Sequence, residues 1–228
     1  MNNFHILLGI TGSPMSSQTP KLLDKLKRVG EVAIILTDRA QHFVDVQELQ
    51  KQTGKCTVLN NADQQFNFFS DCDEWNWQGT ELDGQKYLTA KWKIDPSLKS
   101  GSGNELPFVV HEQLCKWGDI LIIAPLTINT LAKISNGICD NLLTTIFRAW
   151  NKPVILAPIA HSSILKHPLT KEQLNRIKKR FKQSWFKNNC TIINHLKLGY
   201  KFEEAWNTDK WEEMISWSTE NSMNYHFY

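Results

Sequence analysis

Two continuous apolar runs constrain the fold of this chain more than any other feature of its sequence. They extend from Ile120 to Ala124 and from Val154 to Ala157, and an Ala-Pro pair ends each run. A strand with one face in water alternates apolar and polar residues, whereas a strand covered by helices on both faces is apolar throughout. The two runs therefore predict parallel strands that are buried on both faces.

Shorter segments repeat the same rhythm along the chain. Further strands are predicted at 4–10, 32–36, 55–60 and 191–193, and helices at 21–27, 40–49, 112–117 and 208–217. Strands that alternate with helices are typical of right-handed βαβ crossovers. We therefore predict an α/β fold, a doubly wound parallel sheet in a Rossmann-like, three-layer arrangement.

Net charge and the length of the apolar runs argue against several classes of protein. The 26 Lys and Arg nearly balance the 23 Asp and Glu, so no nucleic acid or anionic membrane partner is expected. Ile120 to Leu126 is far shorter than the roughly 20 residues of a membrane helix. Phe4 to Ile10 has no basic leader before it and predicts a first strand instead of a signal peptide. We expect a cytoplasmic protein.

The cysteines predict neither a disulfide framework nor a metal site. Their number is odd and no pair has CxxC spacing; they are Cys56, Cys72, Cys115, Cys139 and Cys190. Reduced thiols agree with the expected cytoplasmic location.

The chain length of 228 residues suits one domain, residues 1–228, with a substantial core. Two segments depart from the βα rhythm. Residues 76–104 are polar and end in a Gly/Ser-rich stretch, which predicts an inserted loop. The segment from about residue 178 is basic first and acidic later, and it is expected to form a divergent C-terminal part.

Two strand-to-helix turns carry polar groups that suit a phosphate. Thr11-Gly12-Ser13 follows the first strand, with Pro14 suited to the first turn of a helix. The later turn from Pro125 to Thr130 offers two hydroxyls and an amide. In an open parallel sheet, ligands bind beyond the carboxyl ends of the strands, where backbone N–H groups at helix starts attract anions. An ordinary βα turn has a similar composition, so the first turn alone leaves both interpretations open.

A longer ordered pattern resembles the phosphopantothenoylcysteine decarboxylase family of flavin-containing cysteine decarboxylases. His111-Glu112-Gln113-Leu114-Cys115-Lys116-Trp117-Gly118-Asp119 is similar to the H-x-x-L-x-x-W-A-D segment of that family. Ala124 to Lys133 resembles its A-P-x-S-A-N-T-L-A-K segment, and Asn136 to Thr144 and Arg148-Ala149-Trp150 are also family-like. Three further segments complete the match, which covers about residues 4 to 175. They are Gly9 to Ser13, Thr37-x-x-Ala40-x-x-Phe43, and the acidic-Trp segment Ser70 to Trp75.

The resemblance implies a flavodoxin-like sheet, FMN as cofactor, and assembly with homologous subunits as a homo- or heterotrimer. Its FMN contacts correspond here to Gly12, Ser13, Pro14, Thr37, Asp38, Arg39, Thr127, Ile128, Asn129, Thr130 and Ile159. Thr127 keeps the hydroxyl of the usual Ser, whereas Ile128 is bulkier than the usual Ala. His111 matches the catalytic His of the family, whose ordinary pKa suits a proton-transfer group.

Two family elements are missing. His161 stands where the family has a substrate-binding Asn, and an imidazole cannot reproduce the donor and acceptor of an amide at those positions. The C-terminal flap with its proton-donating Cys has no counterpart, since Leu196 to Lys201 contains no Cys. Cys190 is the nearest thiol, but it falls in or before a predicted strand. In the family one subunit offers the His to a site whose Asn and Cys come from its neighbour.

Three functions follow from the resemblance. The leading one is a His111-donating subunit of a heterotrimeric phosphopantothenoylcysteine decarboxylase in coenzyme A biosynthesis, inactive alone. The alternative is a catalytically inactive, inhibitory subunit that binds the catalytic subunit of a protein Ser/Thr phosphatase, as certain fungal relatives do. A flavin-dependent decarboxylase of other cysteine substrates is disfavoured by the Asp73-Glu74-Trp75 segment, which resembles the eukaryotic members.

Overall fold

The computed structural model describes residues 4–53, 57–60, 75–76, 91–92, 110–183 and 190–192. The strands are β1 His5–Ile10, β2 Glu31–Thr37, β3 Thr57–Asn60, β4 Trp75–Asn76, β5 Lys91–Trp92, β6 Ile120–Thr127, β7 Val154–Ile159 and β8 Cys190–Ile192. The helices are α1 Thr19–Leu26, α2 Val46–Thr53, α3 Val110–Trp117, α4 Ile128–Asn136, α5 Leu142–Ala149, α6 Ser162–Lys166 and α7 Pro168–Gln183. A 3-10 helix, Pro14–Gln18, follows β1 after a three-residue turn, and a second, Asp38–His42, directly follows β2.

Six of these strands form one parallel sheet in the order β3-β2-β1-β6-β7-β8. The chain first builds outward from β1 to β3 and later returns to the other side of β1 with β6. The strand order therefore reverses between β1 and β6, whose registers pair Gly9 with Ile123.

Helices cover both faces of the sheet and bury two separate cores. Successive residues of β1 point to opposite faces, so that Ile6 and Leu8 pack with Leu22 and Leu23 of α1. Leu7 faces the other way and belongs to the core beneath α3, α4, α5 and α7. This arrangement confirms the predicted doubly wound, three-layer α/β fold.

The apolar runs extend further than predicted at their carboxyl ends. β6 continues through Pro125 to Thr127, and β7 continues through Pro158 to Ile159. Proline has no N–H for the ladder and is tolerated at irregular positions of a sheet. The pairing of β6 with β7 shifts register between Ile123 and Leu126, and this irregularity accommodates the proline.

The helix predicted at 40–49 is wrong in its first half. The 3-10 helix ends at His42, and α2 begins only at Val46. The side chain of Asp45 accepts a hydrogen bond from the backbone N–H of Glu48 at 3.0 Å. A carboxylate that caps an N-terminal N–H favours the start of a new helix at that point.

The other departures from the predicted elements are smaller. The strand predicted at 191–193 is confirmed one residue earlier, as β8. Within the predicted inserted loop, β4 and β5 form a short antiparallel pair in which Trp75 lies opposite Trp92. The rest of residues 76–104, the acidic-Trp segment before Trp75, Leu196 to Lys201 and the helix predicted at 208–217 lie outside the described residues.

Within the described ranges, no helix combines the length and apolarity that crossing a bilayer requires. The same ranges contain no group of three or more His, Cys, Asp and Glu side chains placed to hold a metal ion.

Candidate functional site

The candidate site is a crevice at the carboxyl edge of the sheet, where β1 and β6 lie side by side. The chain leaves β1 towards α1 on one face and leaves β6 towards α4 on the other, as the two separate cores show. Connections that diverge from adjacent parallel strands open a crevice between them, and ligands of open α/β sheets bind there.

A buried hydroxyl joins the two strands at the floor of this crevice. Thr11, which directly follows β1, is 0% exposed. Its Oγ1 donates to the carbonyl oxygen of Pro125 at 2.8 Å and accepts from the backbone N–H of Thr127 at 2.8 Å. The Thr11 N–H also donates to the Pro125 carbonyl at 3.2 Å. One side chain thus links the end of β1 to the last residues of β6.

The turn after β1 is fixed by two serines. Ser13 caps the 3-10 helix, because its Oγ accepts from the N–H of Met15 at 3.3 Å, while Ser16 Oγ accepts from the Ser13 N–H. Ser16 Oγ in turn donates to the Thr11 carbonyl at 2.7 Å. Pro14 occupies the first position of the helix, as predicted. The Ser13 hydroxyl proton has no acceptor among the described residues, so a ligand oxygen could accept it.

The turn after β2 lies directly against the turn after β1. A Cβ on Gly12 would overlap Arg39 Cβ and lie 2.9 Å from the carbonyl carbon of Arg39. Only glycine allows this backbone approach. The structure thus places Gly12 beside Arg39 and brings the two predicted cofactor segments together.

Thr37 ends β2 with a buried hydroxyl that has no hydrogen-bond partner in the described part of the chain. Leaving a buried hydroxyl unpaired costs free energy. A ligand that paired with this hydroxyl would remove the cost. The neighbouring Asp38 has a raised pKa because burial disfavours its charged form, and the positive charge of Lys133 on α4 opposes that effect. Asp38 thus lies within electrostatic reach of α4.

The turn after β6 presents the N-terminus of α4. Thr127 is its N-cap residue, in extended backbone, and Thr127 and Thr130 place their hydroxyl oxygens 3.3 Å apart. Asn129 is exposed in the first turn. Ile128, bulkier than the Ala of the family, is half-buried and packs against the core beneath α4. Packing towards that core accommodates its extra volume.

The end of β7 adds the last predicted contact on the far side of β6. Ile159 pairs with Thr127 in the sheet and is half-buried. His161 lies two residues later, exposed, as the N-cap of α6. Its carbonyl oxygen accepts from the N–H groups of Ile164 and Leu165. The imidazole makes no cap hydrogen bond, so His161 shapes the start of α6 through its backbone.

His111 lies elsewhere, in the first turn of α3 on the face of the sheet that α5 also covers. Leu114 is buried in the core of that face, and Cys115 Sγ lies 3.9 Å from the Ile146 carbonyl of α5. The predicted cofactor residues lie in the turns after β1, β2 and β6 and at the end of β7. The predicted catalytic residue and the predicted cofactor residues are therefore held by different elements of the chain.

Cys190 is badly placed to replace the missing thiol. It pairs with Val154, the first residue of β7, and so lies at the amino edge of the sheet. The five residue steps from Val154 to Ile159 correspond to about 16 Å of strand. Burial raises the pKa of the Cys190 thiol to about 12, with Lys178 acting in the opposite direction.

Thr11 lies in a turn predicted to suit a phosphate, but it was not among the residues assigned to FMN contacts. Its signal in the sequence was only a hydroxyl residue between a strand and a glycine, and its partners on β6 are 114 and 116 positions away. Local sequence does not reveal a contact across that separation.

Comparisons with known proteins agree with this geometry. A family model described as Flavoprotein matches residues 1–204. A Mus musculus protein named phosphopantothenoylcysteine decarboxylase is 34% identical over 180 residues, which cover 77% of this chain and 69% of that protein. The Saccharomyces cerevisiae phosphopantothenoylcysteine decarboxylase subunit SIS2 is 31% identical over 215 residues.

The match with the yeast subunit covers 79% of this chain and 34% of the yeast protein, so the chain spans about a third of that relative. A solved structure titled the FMN binding protein AtHal3 is 27% identical, with a TM-score of 0.58 over 84% of this chain and 80% of that one.

Proposed function

Because the chain belongs to the flavoprotein family and, within it, to the phosphopantothenoylcysteine decarboxylases, we propose that it is an FMN-binding subunit of such an enzyme. The proposed reaction is the decarboxylation of 4'-phosphopantothenoylcysteine to 4'-phosphopantetheine in coenzyme A biosynthesis. The chain would donate His111 to a site that a homologous subunit completes. The observation that carries the proposal is the convergence of the turns after β1, β2 and β6 on one crevice.

The residues of the crevice fit FMN. The Ser13 hydroxyl and the N-terminus of the nine-residue α4 suit the phosphate, since N–H groups and the helix dipole favour an anion. Because Gly12 has no side chain and lies against Arg39, no side chain of Gly12 fills the floor of the turn. Thr37 supplies a buried hydroxyl that a bound group would satisfy. We assign the remaining contacts to Pro14, Asp38, Arg39, Thr127, Ile128, Asn129, Thr130 and Ile159.

Bound FMN would supply reversible two-electron oxidation of the substrate's CH2–SH carbon, which gives the departing carboxylate's electron pair an acceptor. The chain's own contribution is to hold that cofactor and to move a proton. In this proposal His111 is the base that takes up a proton from the substrate, because the ordinary pKa of an imidazole lies near neutrality.

The division of labour follows from what the chain lacks. His161 replaces the amide that would orient substrate, and its exposed imidazole is given no catalytic role here. Cys190 lies at the wrong edge of the sheet with a strongly raised pKa, and is given no role as proton donor. We assign His111, in the first turn of α3, to the cofactor site of a neighbouring subunit.

The phosphatase-regulating alternative is not proposed as a second function. None of the relatives named above is described as a phosphatase regulator. No contact among the described residues points to a phosphatase. Association with homologous subunits, and a cytoplasmic location, remain parts of the main proposal.

The test is complementation in the purified system. The chain is mixed with a family member that has the C-terminal Cys but whose own catalytic His is replaced, and CO2 release from 4'-phosphopantothenoylcysteine is measured. We expect no activity from either protein alone and activity from the mixture. His111→Ala should lower that activity by about 10²- to 10⁴-fold without loss of bound FMN. The exposed His42→Ala is the matched control and should be neutral.

Two results would overturn this function. One is decarboxylation by the chain alone, since that would mean that the Asn and Cys groups are not needed from a partner. The other is failure of the chain to bind FMN in a fluorescence titration, since the crevice would then serve some other ligand.

A further inference from the structure

We propose that Thr11 is the positioning residue of the cofactor crevice: its buried hydroxyl sets the N-terminus of α4 against the turn after β1. The inference rests on the proposed function, because it assumes that the occupant of the crevice is FMN. Thr11 itself is 0% exposed, so it acts through Thr127 and not by touching the ligand.

The Thr11 hydroxyl makes both of its hydrogen bonds within the protein, and these bonds fix the orientation of the Thr127 N–H. Thr11 Oγ1 donates its only proton to the Pro125 carbonyl and accepts from the Thr127 N–H, each at 2.8 Å. Because Thr127 is the N-cap residue of α4, its N–H precedes the unpaired N–H groups of the first helical turn. Holding the Thr127 N–H inward leaves the following N–H groups of the helix start pointing towards the crevice.

The backbone of Thr11 fixes the turn after β1, on the other side of the crevice from α4. Its carbonyl accepts from Ser16 Oγ at 2.7 Å, and Ser16 Oγ also accepts from the Ser13 N–H. The same residue therefore braces the Ser13 turn through its carbonyl and the α4 turn through its hydroxyl. The distance between the proposed phosphate donors on the two turns depends on Thr11.

The decisive variants are Thr11→Val and Thr11→Ser. Valine keeps the shape but leaves the Thr127 N–H buried without an acceptor, and such a loss is costly. We expect the Kd for FMN to rise about tenfold or more, which corresponds to about 1.4 kcal/mol. Serine keeps the hydroxyl and should restore affinity to within about threefold of the unchanged protein.

A second measurement tests directly, in the cofactor-free protein, whether the Thr127 N–H is held by Thr11. Amide hydrogen exchange of the cofactor-free protein should show a protected Thr127 N–H in the unchanged chain and in Thr11→Ser, and faster exchange in Thr11→Val. Thr170→Val is the matched control, since it removes another buried hydroxyl that donates to a backbone carbonyl, that of Ile164 at 2.7 Å. This variant should lose stability but keep both its FMN affinity and the protection of Thr127.

The outcomes separate the two proposals. If the unchanged chain does not bind FMN, the proposed function fails, while the exchange measurement still decides whether Thr11 holds α4. Thr11 is not the positioning residue if Thr11→Val binds FMN as tightly as the unchanged chain, or if Thr11→Ser binds as weakly as Thr11→Val. Should Thr11→Val not fold, Thr11→Cys takes its place, because a thiol is a poor donor and acceptor; it should lie between serine and valine.

Discussion

Thr37 is the residue at which the family resemblance and the physics of the fold agree independently. The resemblance predicts that it contacts FMN, and the structure gives it a buried hydroxyl without a partner among the described residues. A fold gains nothing from a hydroxyl that is taken out of water and left unpaired. A ligand group that paired with this hydroxyl would offset the cost.

This cost makes Thr37→Val a variant with opposite effects on stability and binding. Valine removes the unpaired hydroxyl at nearly constant shape, so the free energy of unfolding without cofactor should stay the same or rise by up to about 1 kcal/mol. FMN affinity should fall by about tenfold, the value of one hydrogen bond. Urea denaturation of the cofactor-free protein and a fluorescence titration measure the two effects.

Thr170→Val again provides the comparison, because its hydroxyl has a partner in the Ile164 carbonyl. It should lose about 1 kcal/mol of stability and keep its FMN affinity. Equal losses of stability in the two valine variants would mean that the Thr37 hydroxyl is paired in solution.

The thiols give a second prediction at this scale. Burial raises the pKa of Cys190 to about 12, against 9.0 for an unperturbed thiol. At pH 8 this lowers its thiolate fraction about a thousandfold, and the thiolate is the reactive form. Cys139 is exposed. Brief treatment with a maleimide at pH 8, followed by peptide mass spectrometry, should therefore modify Cys139 and leave Cys190 unmodified in the folded protein. Comparable labelling of both would show that β8 opens readily.

The sequence indicated which strand-end turns carry the proposed site, but not the contacts that join these turns. The turns after β1 and β6 were recognised from small and hydroxyl side chains at strand ends, and the structure brings the turns after β1 and β2 together at Gly12 and Arg39. The sequence places Thr11 in the first of these turns but does not predict its bonds to Pro125 and Thr127, which no local pattern encodes.

At the scale of elements, burial was easier to predict than boundaries. The apolar runs gave β6 and β7 because residues covered on both faces must be apolar. The apolar runs end at their Ala-Pro pairs, but both strands continue past the proline, which the sheet tolerates at an irregular position. The helix predicted across 40–49 failed for a related reason. The Asp45 cap, a single side-chain contact, separates the 3-10 helix from α2.

Caps also predict how elements respond to mutation. Asn141 starts α5 in a capping box, where its side chain accepts from the Thr144 N–H at 2.9 Å and Thr144 Oγ1 accepts from the Asn141 N–H. Asn141→Ala should lower the free energy of unfolding by about 1 kcal/mol, measured by urea denaturation. The exposed Asn151→Ala, in the turn before β7, should change it by less than about 0.5 kcal/mol. Similar small changes in both variants would contradict the role of the cap.

For the whole molecule, the sequence predicted the class of fold but not the strand order. Alternating strands and helices implied a doubly wound sheet, and nothing local stated that β6 lies beside β1. That adjacency decides where the crevice opens, and it depends on the joint packing of two cores.

Exposed apolar side chains near α6 predict how the molecule associates. Ile164 and Leu169 are 43% and 52% exposed, close to His161 and the end of β7. Exposed apolar groups favour association, since burial of one such side chain contributes about 1.5–3 kcal/mol. Leu169→Asp should therefore shift the protein towards smaller species in sedimentation velocity. The control is Lys171→Asp, roughly opposite on the same helix, which should leave the assembly unchanged. Unaltered sedimentation of Leu169→Asp would place the interface elsewhere.

The adjacency of β1 and β6 also governs when during synthesis the crevice can exist. The hydrogen bond between Thr127 and Thr11 spans 116 positions, so a nascent chain that has exposed only its first hundred residues has half of a binding site and an unpaired strand edge. Closing a chain loop of that length costs conformational entropy, and only the contacts of the later strands offset this cost. Ribosome-bound fragments ending before β6 should therefore be unable to capture flavin, and loading of the cofactor becomes an event of late maturation.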